Sequence, residues 1–261
     1  MSMRRVFDFT HAIVREPSPS VVDGLREDVS LTPRFETVAA EHHAYVSTLR
    51  DLGLAVDALP ALEAFPDSVF VEDPALVFPE GAILLCPGAP SRLGEREEMR
   101  GALKHHFGRV LELDENAFAD GGDVLVTPEA VFIGLSRRTT RAGAESLKEK
   151  LESLGRAARI VQTPDGVLHF KTASALLDEN TILCTGAMAQ SGVFEGFRLV
   201  VTSAGEEAAA NALRINDTIL LGDRFPRTAD LIRGLRLSVK TLAVTEIAKL
   251  DAGLSCMSLR W

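Results

Sequence analysis

Short apolar runs alternate with tight polar turns four times along this chain. Ala75–Phe78 and Ala82–Leu85 flank Pro79-Glu80-Gly81, and Val124–Thr127 and Ala130–Leu135 flank Pro128-Glu129. Ala175–Leu177 and Thr181–Cys184 flank Asp178-Glu179-Asn180, and Ala212–Ile215 and Thr218–Leu221 flank Asn216-Asp217. Strand-forming residues on both sides of a Pro, Asn, Asp or Gly turn predict four β-hairpins. Between them the apolar period lengthens to that of a helix. Arg34–Leu52 carries Phe35, Val38, Ala39, Tyr45, Leu49 and Leu52 among charged residues. Glu95–Phe107, Thr140–Leu154, Ala204–Asn211 and Thr228–Leu235 are shorter helical stretches. Single strands are expected at Val110–Leu113, Ala158–Val161, Leu199–Val201 and Val239–Val244. The repeating unit is hairpin, helix, strand, with a period of about forty to fifty residues, within the range of repeat architectures.

A fifth unit requires the two ends of the chain together. Cys256–Trp261 and Phe9–Val14 are both apolar enough to pair, and their pairing closes a ring with few exposed sheet edges. The expectation is an α/β fold of five such units, residues 1–261 forming one domain, because no linker rich in Gly, Ser or Pro divides the chain. An open mixed sheet with unrelated hairpins fits the same spacing.

Composition narrows the function classes. The 261 residues are 46% hydrophobic, enough for a large core, and carry a net charge of −9 with one Trp and one Tyr. That balance argues against a nucleic-acid partner and permits a cationic ligand. Met1–Asp8 lacks the apolar stretch of a signal peptide, and no apolar run is long enough to span a membrane. The three cysteines form no CxxC pair, and no HExxH motif occurs, so a cytoplasmic protein without disulfides or a structural zinc is expected. Cys86 and Cys184 fall in apolar runs and read as buried strand positions.

Cys256 is different. Chain ends usually fray, so a thiol five residues from the last residue is either tied into the fold or does chemistry. Free cysteines also fill core space. Its position in the repeat favours chemistry. Asp67–Asp73 precedes the first hairpin, Asp120-Gly121-Gly122-Asp123 the second, His169-Phe170-Lys171-Thr172 the third and Asn211 the fourth, while Cys256 starts the closing strand. Around an axis, these equivalent positions converge. A cysteine attacks as thiolate, and a nearby imidazolium or cationic substrate lowers its pKa. His169 is then a candidate general acid and base, with Asp120 orienting its ring.

Asp67, Glu72 and Asp73 surround the apolar Val69-Phe70-Val71, where acids are costly unless a cation pairs with them. They suit a guanidinium, which bonds carboxylates in pairs; as turn and cap residues they suit the loop equally well. Arg92 and Arg138 each follow a hairpin and are candidates for a substrate carboxylate. His42-His43 and His105-His106 lie beside charges on helical stretches and are expected in solvent.

The motifs Pro66–Pro74, Pro87–Arg92, Asp120–Asp123, Val167–Thr172, Ala209–Asn211 and Ser255–Arg260 together resemble those of the dimethylarginine dimethylaminohydrolases, from end to end. This resemblance implies the five-bladed α/β-propeller of the guanidine-modifying, or pentein, superfamily, closed by the N- and C-terminal strands. It implies hydrolysis of Nω-methylated arginine to citrulline and a methylamine through a covalent thiouronium. It implies Cys256 as nucleophile, His169 as general acid and base, and Asp120 as its orienting carboxylate. Asp67, Glu72 and Asp73 would surround the guanidinium and amino groups, with Asp73 nearest the guanidinium. Arg92 and Arg138 would lie near the carboxylate, Leu25 and Leu250 would contact substrate through their backbones, and Arg15–Leu25 would form a mobile lid. No cofactor or metal is implied, and the partner is a small cationic amino acid. A homodimer is left open. Three residues depart from the family pattern: Asp120 where some relatives have Glu, Thr140 for Asn, and Phe170 for Leu. An arginine deiminase or another guanidine hydrolase of the same fold remains the alternative activity, and a non-catalytic binding protein the alternative class.

Overall fold

The computed structural model describes residues 5–261, so the first four residues of the Met1–Asp8 stretch lie outside the described residues. The expected hairpins are present. β1 (His11–Arg15), α1 (Phe35–Asp51) and β2 (Ala55–Leu59) come first. Then come β3 (Ala75–Phe78), β4 (Gly81–Leu84), α2 (Glu95–His106) and β5 (Val110–Glu112). β6 (Val124–Val126), β7 (Val131–Leu135), α3 (Arg141–Ser153) and β8 (Ala158–Gln162) repeat the order. So do β9 (Ser174–Leu176), β10 (Thr181–Cys184), α4 (Gly186–Gln190) and β11 (Arg198–Val201). β12 (Leu213–Ile215), β13 (Thr218–Gly222), α5 (Pro226–Gly234), β14 (Ser238–Leu242) and β15 (Leu259–Arg260) complete the chain.

These strands form five three-stranded sheets. In each, an inner strand pairs antiparallel with a middle strand, and the middle strand pairs parallel with an outer one reached through the helix. A parallel neighbour cannot be reached by a tight turn, which is why every unit carries a helix at that point. The unit made from both chain ends follows the same plan. Ala12 faces Arg260 and Ile13 faces Leu259 across the β1–β15 pair, while β1 runs parallel to β2.

Ring closure shows in the core. Five apolar clusters each sit at one joint between neighbouring sheets. Ile13 and Leu259 meet Ala82 and Leu103. Leu76 and Ile83 meet Val131 and Leu147. Phe132 meets Phe170 and Ile182, and Leu183 meets Ile219 and Ile232. Tyr45 and Val14 meet Leu213 and Leu220, which returns to the first sheet. Each joint removes apolar surface at about 25 cal/mol per Å²; the first anchors β15 through Leu259, and the last holds Leu254 and Met257 just before it.

Four expectations differ from the structure. β2 is an additional strand. The Ala204–Asn211 stretch is a single 3-10 turn, Glu207–Ala210, and the helix of that unit is the short α4. Cys256 lies within a 3-10 turn, Leu254–Met257, rather than at the start of the strand. His42 is buried at 1% exposure, with burial and the neighbouring His43 pushing its pKa down to about 4, although His43 is exposed as expected. Cys86 and Cys184 are buried as free thiols. Among the described residues, no helix is long and apolar enough to cross a membrane.

Candidate active site

Each inner strand is entered through a tight turn. For β3 this is the turn-rich segment 66–74; for β6, β9, β12 and β15 it is Gly121–Asp123, Phe170–Thr172, Glu207–Ala210 and Leu254–Met257. Asp67, Glu72, Asp73, Asp120, His169 and Cys256 sit on or beside these turns, so the ring brings them to one end of the axis, while Leu25, Arg92, Arg138 and Leu250 reach it from neighbouring loops. Leu25, Asp67, Asp73, Arg92, Arg138, His169, Leu250 and Cys256 line one cavity of about 310 Å³. Asp120 lies behind His169, fully buried. Backbone crowding here demands glycine: a Cβ at Gly121 would lie 2.0 Å from the Glu72 carbonyl oxygen. At Gly122 it would press on the Asp73 carboxylate and the His169 ring, each 3.0 Å away.

His169 Nε2 lies 3.0 Å from Asp120 Oδ2. The carboxylate is itself held, since Gly88 N–H donates to Oδ1 at 2.6 Å. Asp123, also buried, braces the same region: it accepts from Ser136 Oγ at 2.6 Å, Thr139 Oγ1 at 2.7 Å and Phe170 N–H at 2.9 Å. Burial opposes charge on the imidazole. The Asp120 hydrogen bond and the fields of Asp73, Asp123 and Asp120 outweigh it and push the His169 pKa up to about 9. Burial raises Asp123 to about 6 despite the imidazolium.

Cys256 is partly covered, and its sulfur lies 3.8 Å from the Asn211 amide nitrogen. Burial, then the negative fields of Glu72 and Asp73, push the thiol up to about 11. At neutral pH the cavity therefore holds a protonated thiol and an imidazolium. A cation entering beside Asp73 would offset both carboxylates and favour the thiolate.

The acids divide into distinct environments. Asp73 accepts from Gly122 N–H at 3.0 Å and from Arg92 in a short contact. Burial would raise its pKa, but Arg92, His169 and the Gly122 N–H hold it below the ordinary value. Asp67 accepts from Leu25 N–H at 3.0 Å, and burial raises it. Glu72 turns away from the cavity that its neighbours line. Lys171 and Arg260 contact its Oε1, the latter at 3.1 Å, and Ser255 donates to Oε2 at 3.2 Å.

The arginines differ as well. Arg92 is 4% exposed and already engaged: it donates to Glu95 at 2.9 and 2.7 Å, to Asp73, and to the Asp67 and Phe70 carbonyls at 3.2 and 2.9 Å. It borders the cavity chiefly as the partner of Asp73. Arg138 is the more accessible, with Nη1 3.9 Å from Asp120 Oδ2. At the rim, Glu27 joins the N-terminal segment to the rest, accepting from Arg137 at 2.8 Å and donating its N–H to Asp251 at 2.6 Å. That segment begins after Arg15, which is buried in β1 and donates to the Pro60 carbonyl at 2.8 Å.

Asp73, Asp120 and His169 offer one ligand atom each within 4.8 Å of one another. Both acids already accept hydrogen bonds, from Arg92 and Gly122 and from His169 and Gly88, and the raised His169 pKa favours a proton over a metal.

Comparison with known proteins decides the family. Residues 26–204 match the model described as N,N dimethylarginine dimethylhydrolase, eukaryotic. The chain is 34% identical to the N(G),N(G)-dimethylarginine dimethylaminohydrolase of Pseudomonas aeruginosa over 97% of its own length and all of that protein. The chain belongs to the dimethylarginine dimethylaminohydrolase family.

A second member, from Streptomyces coelicolor, is 32% identical over 95% of this chain and 96% of its own. The solved Pseudomonas aeruginosa family member, a cysteine-to-serine mutant complexed with citrulline, superposes with a TM-score of 0.94 over 98% of this chain and all of that one. The N-terminal domain of a cyanobacterial arginine dihydrolase, 18% identical with a TM-score of 0.87 over 97% of each chain, shares the pentein fold alone. Within this family frame, sequence reasoning assigned no role to Asn211, Asp123 or the Glu27–Arg137–Asp251 rim. Asn211 and Asp123 had a usable signal, since both occupy turn positions equivalent to those of the candidates.

Proposed function

We propose that this chain, as one catalytic domain, hydrolyses Nω-methylated L-arginine to L-citrulline and methylamine or dimethylamine. The observation that carries the reading is the meeting of Cys256, an Asp120-backed His169 and Asp73 on one cavity. The substrate is a small cationic amino acid. Its guanidinium sits against Asp73, and Asp67 and Arg138 serve its amino and carboxylate groups.

The cation's charge lowers the Cys256 pKa as it binds, and the thiol proton leaves to solvent. The sulfur then bonds to the guanidinium carbon. His169, protonated at neutral pH, gives its proton to the departing amine as the carbon–nitrogen bond breaks. A thiouronium remains on Cys256. The ring, now neutral, removes a proton from water, whose oxygen bonds to the same carbon. As the carbon–sulfur bond breaks, the remaining proton of the added hydroxyl passes to the sulfur, citrulline leaves, and the site regains its thiol and imidazolium. Asp120 keeps the ring oriented and favours its charged form. Asn211 donates to the sulfur when it is anionic. Glu72 acts through its field on the thiol.

The test is citrulline release from asymmetric dimethylarginine, monomethylarginine and arginine, each supplied alone. Turnover of the methylated substrates is expected. Turnover of arginine alone would move the chain to the deiminase reading, and full turnover by Cys256→Ser would remove the mechanism.

A further inference from the structure

A second cavity lies behind the first. It measures about 410 Å³ and runs along the inner strands of all five sheets. Leu76, Leu125, Leu176, Leu213 and Leu259 line it, one from each inner strand, and each is only slightly exposed. Glu72, Lys171 and Ser255 line this cavity, whereas Asp73, His169 and Cys256 line the first. The Glu72–Lys171–Ser255–Arg260 network is therefore the partition between the two.

The charge of this second chamber runs against the rest of the protein. In a chain of net charge −9, its described lining carries five cationic side chains (Arg5, Arg156, Lys171, Arg214, Arg260) and three carboxylates (Asp8, Glu72, Glu80). Arg156 pairs with Glu80 at 2.8 Å, Arg5 pairs with Asp8 at 2.8 Å and Asp217 at 3.0 Å, and Asp217 lies 3.8 Å from Arg214, so the unbalanced positive charge is at the partition. At the partition two cations, Lys171 and Arg260, share the single carboxylate of Glu72. The side chain of Arg260 is 10% exposed and its buried Nε–H has no hydrogen-bond partner. An unpaired buried donor beside excess positive charge is costly, and an anion relieves both costs.

We propose that this chamber is a binding site for a small organic anion: a monocarboxylate whose head meets Lys171 and Arg260 and whose apolar body lies within the leucine ring. The volume matches ordinary small-ligand pockets, which are mostly apolar with a few placed polar groups. The site is separate from that of the methylated arginine, because the partition stands between them.

Trp261, the only tryptophan, lines the chamber and reports on it. Hexanoate and its neutral isostere hexanamide are titrated against the whole protein, read by Trp261 fluorescence and by calorimetry. Saturable binding of hexanoate is expected, with hexanamide at least about tenfold weaker because a charge-assisted contact is lost. Lys171→Met should weaken hexanoate about tenfold or more. Leu125→Phe, which fills the chamber, should abolish binding and leave basal turnover in place. Saturating citrulline, directed to the first cavity, should not displace hexanoate. Absence of hexanoate binding, equal affinity for the two probes, indifference to both substitutions, or displacement by citrulline would each overturn the proposal.

Discussion

The two cavities share a wall and little else. Along three stretches of chain, neighbouring residues face opposite ways: Asp73 and Glu72, Cys256 and Ser255, His169 and Lys171. The front cavity is built from turns, and its polar groups come from five separate units. The rear cavity is built from the strands that follow those turns, and repeats one leucine per unit. Turns tolerate irregular backbone and aim side chains individually, whereas the strands of a ring repeat one environment. The chemistry thus sits where the repeat is least regular.

Removing the reacting group should break the comparison most severely. Cys256→Ser is expected to lose at least about a thousandfold in citrulline formation, while hexanoate still binds behind the partition. Intact turnover would mean that the front cavity is not where the chemistry occurs.

Arg92→Met addresses the engaged arginine. It leaves Asp73 and Glu95 buried without their cation, so a loss of about 3–5 kcal/mol in urea unfolding is expected. A rise in KM at unchanged stability would instead make Arg92 mainly a substrate ligand.

The pH dependence sharpens the role of Asp120. With His169 raised to about 9, kcat, which reports the substrate-bound site where the cation has already lowered the thiol, should fall as pH rises through the His169 pKa, because the leaving amine loses its proton source. Asp120→Asn removes the strongest raising influence, so the alkaline limb should move toward the ordinary histidine range. The same shift bears on stability. A group whose pKa is higher when folded contributes fully below its unfolded value near 6.5 and loses that contribution as pH rises through about 9. Chemical unfolding should therefore show up to about 3 kcal/mol lost between those values, and His169→Gln should flatten this slope. An unmoved limb in Asp120→Asn would detach Asp120 from the ring.

The smallest effect belongs to the rim. Glu27 and Arg137 are mostly exposed, so Arg137→Ala should change stability by less than about 1 kcal/mol. A larger loss in thermal unfolding would show that the N-terminal segment is part of the core.

Much of this was legible in local pattern. The four hairpins follow from strand formers flanking turn residues, and closure by the two ends from their apolar runs. β2 was missed because Ala55–Leu59 places Asp57 inside a weakly apolar run, and α4 because five residues show no helical period. Ala204–Asn211 has strong helix formers, yet the chain must turn there into β12, and tertiary demand overrides propensity. His42 is buried because α1 packs over the joint between the first and last sheets.

By itself the sequence determined the unit, its repetition and the residue types at each turn. Those depend on contacts among near neighbours, which spacing records. It also held the family motifs, Cys256, His169 and Asp120 among them. Only the tertiary structure decided which way each side chain faces across the axis. Glu72 joining Lys171 and Arg260, Arg92 tied to Glu95 and Asp73, and the leucine ring all depend on residues far apart in the chain. Adjacent residues such as Glu72 and Asp73 carry the same charge in sequence. The partition between the cavities gives them opposite surroundings.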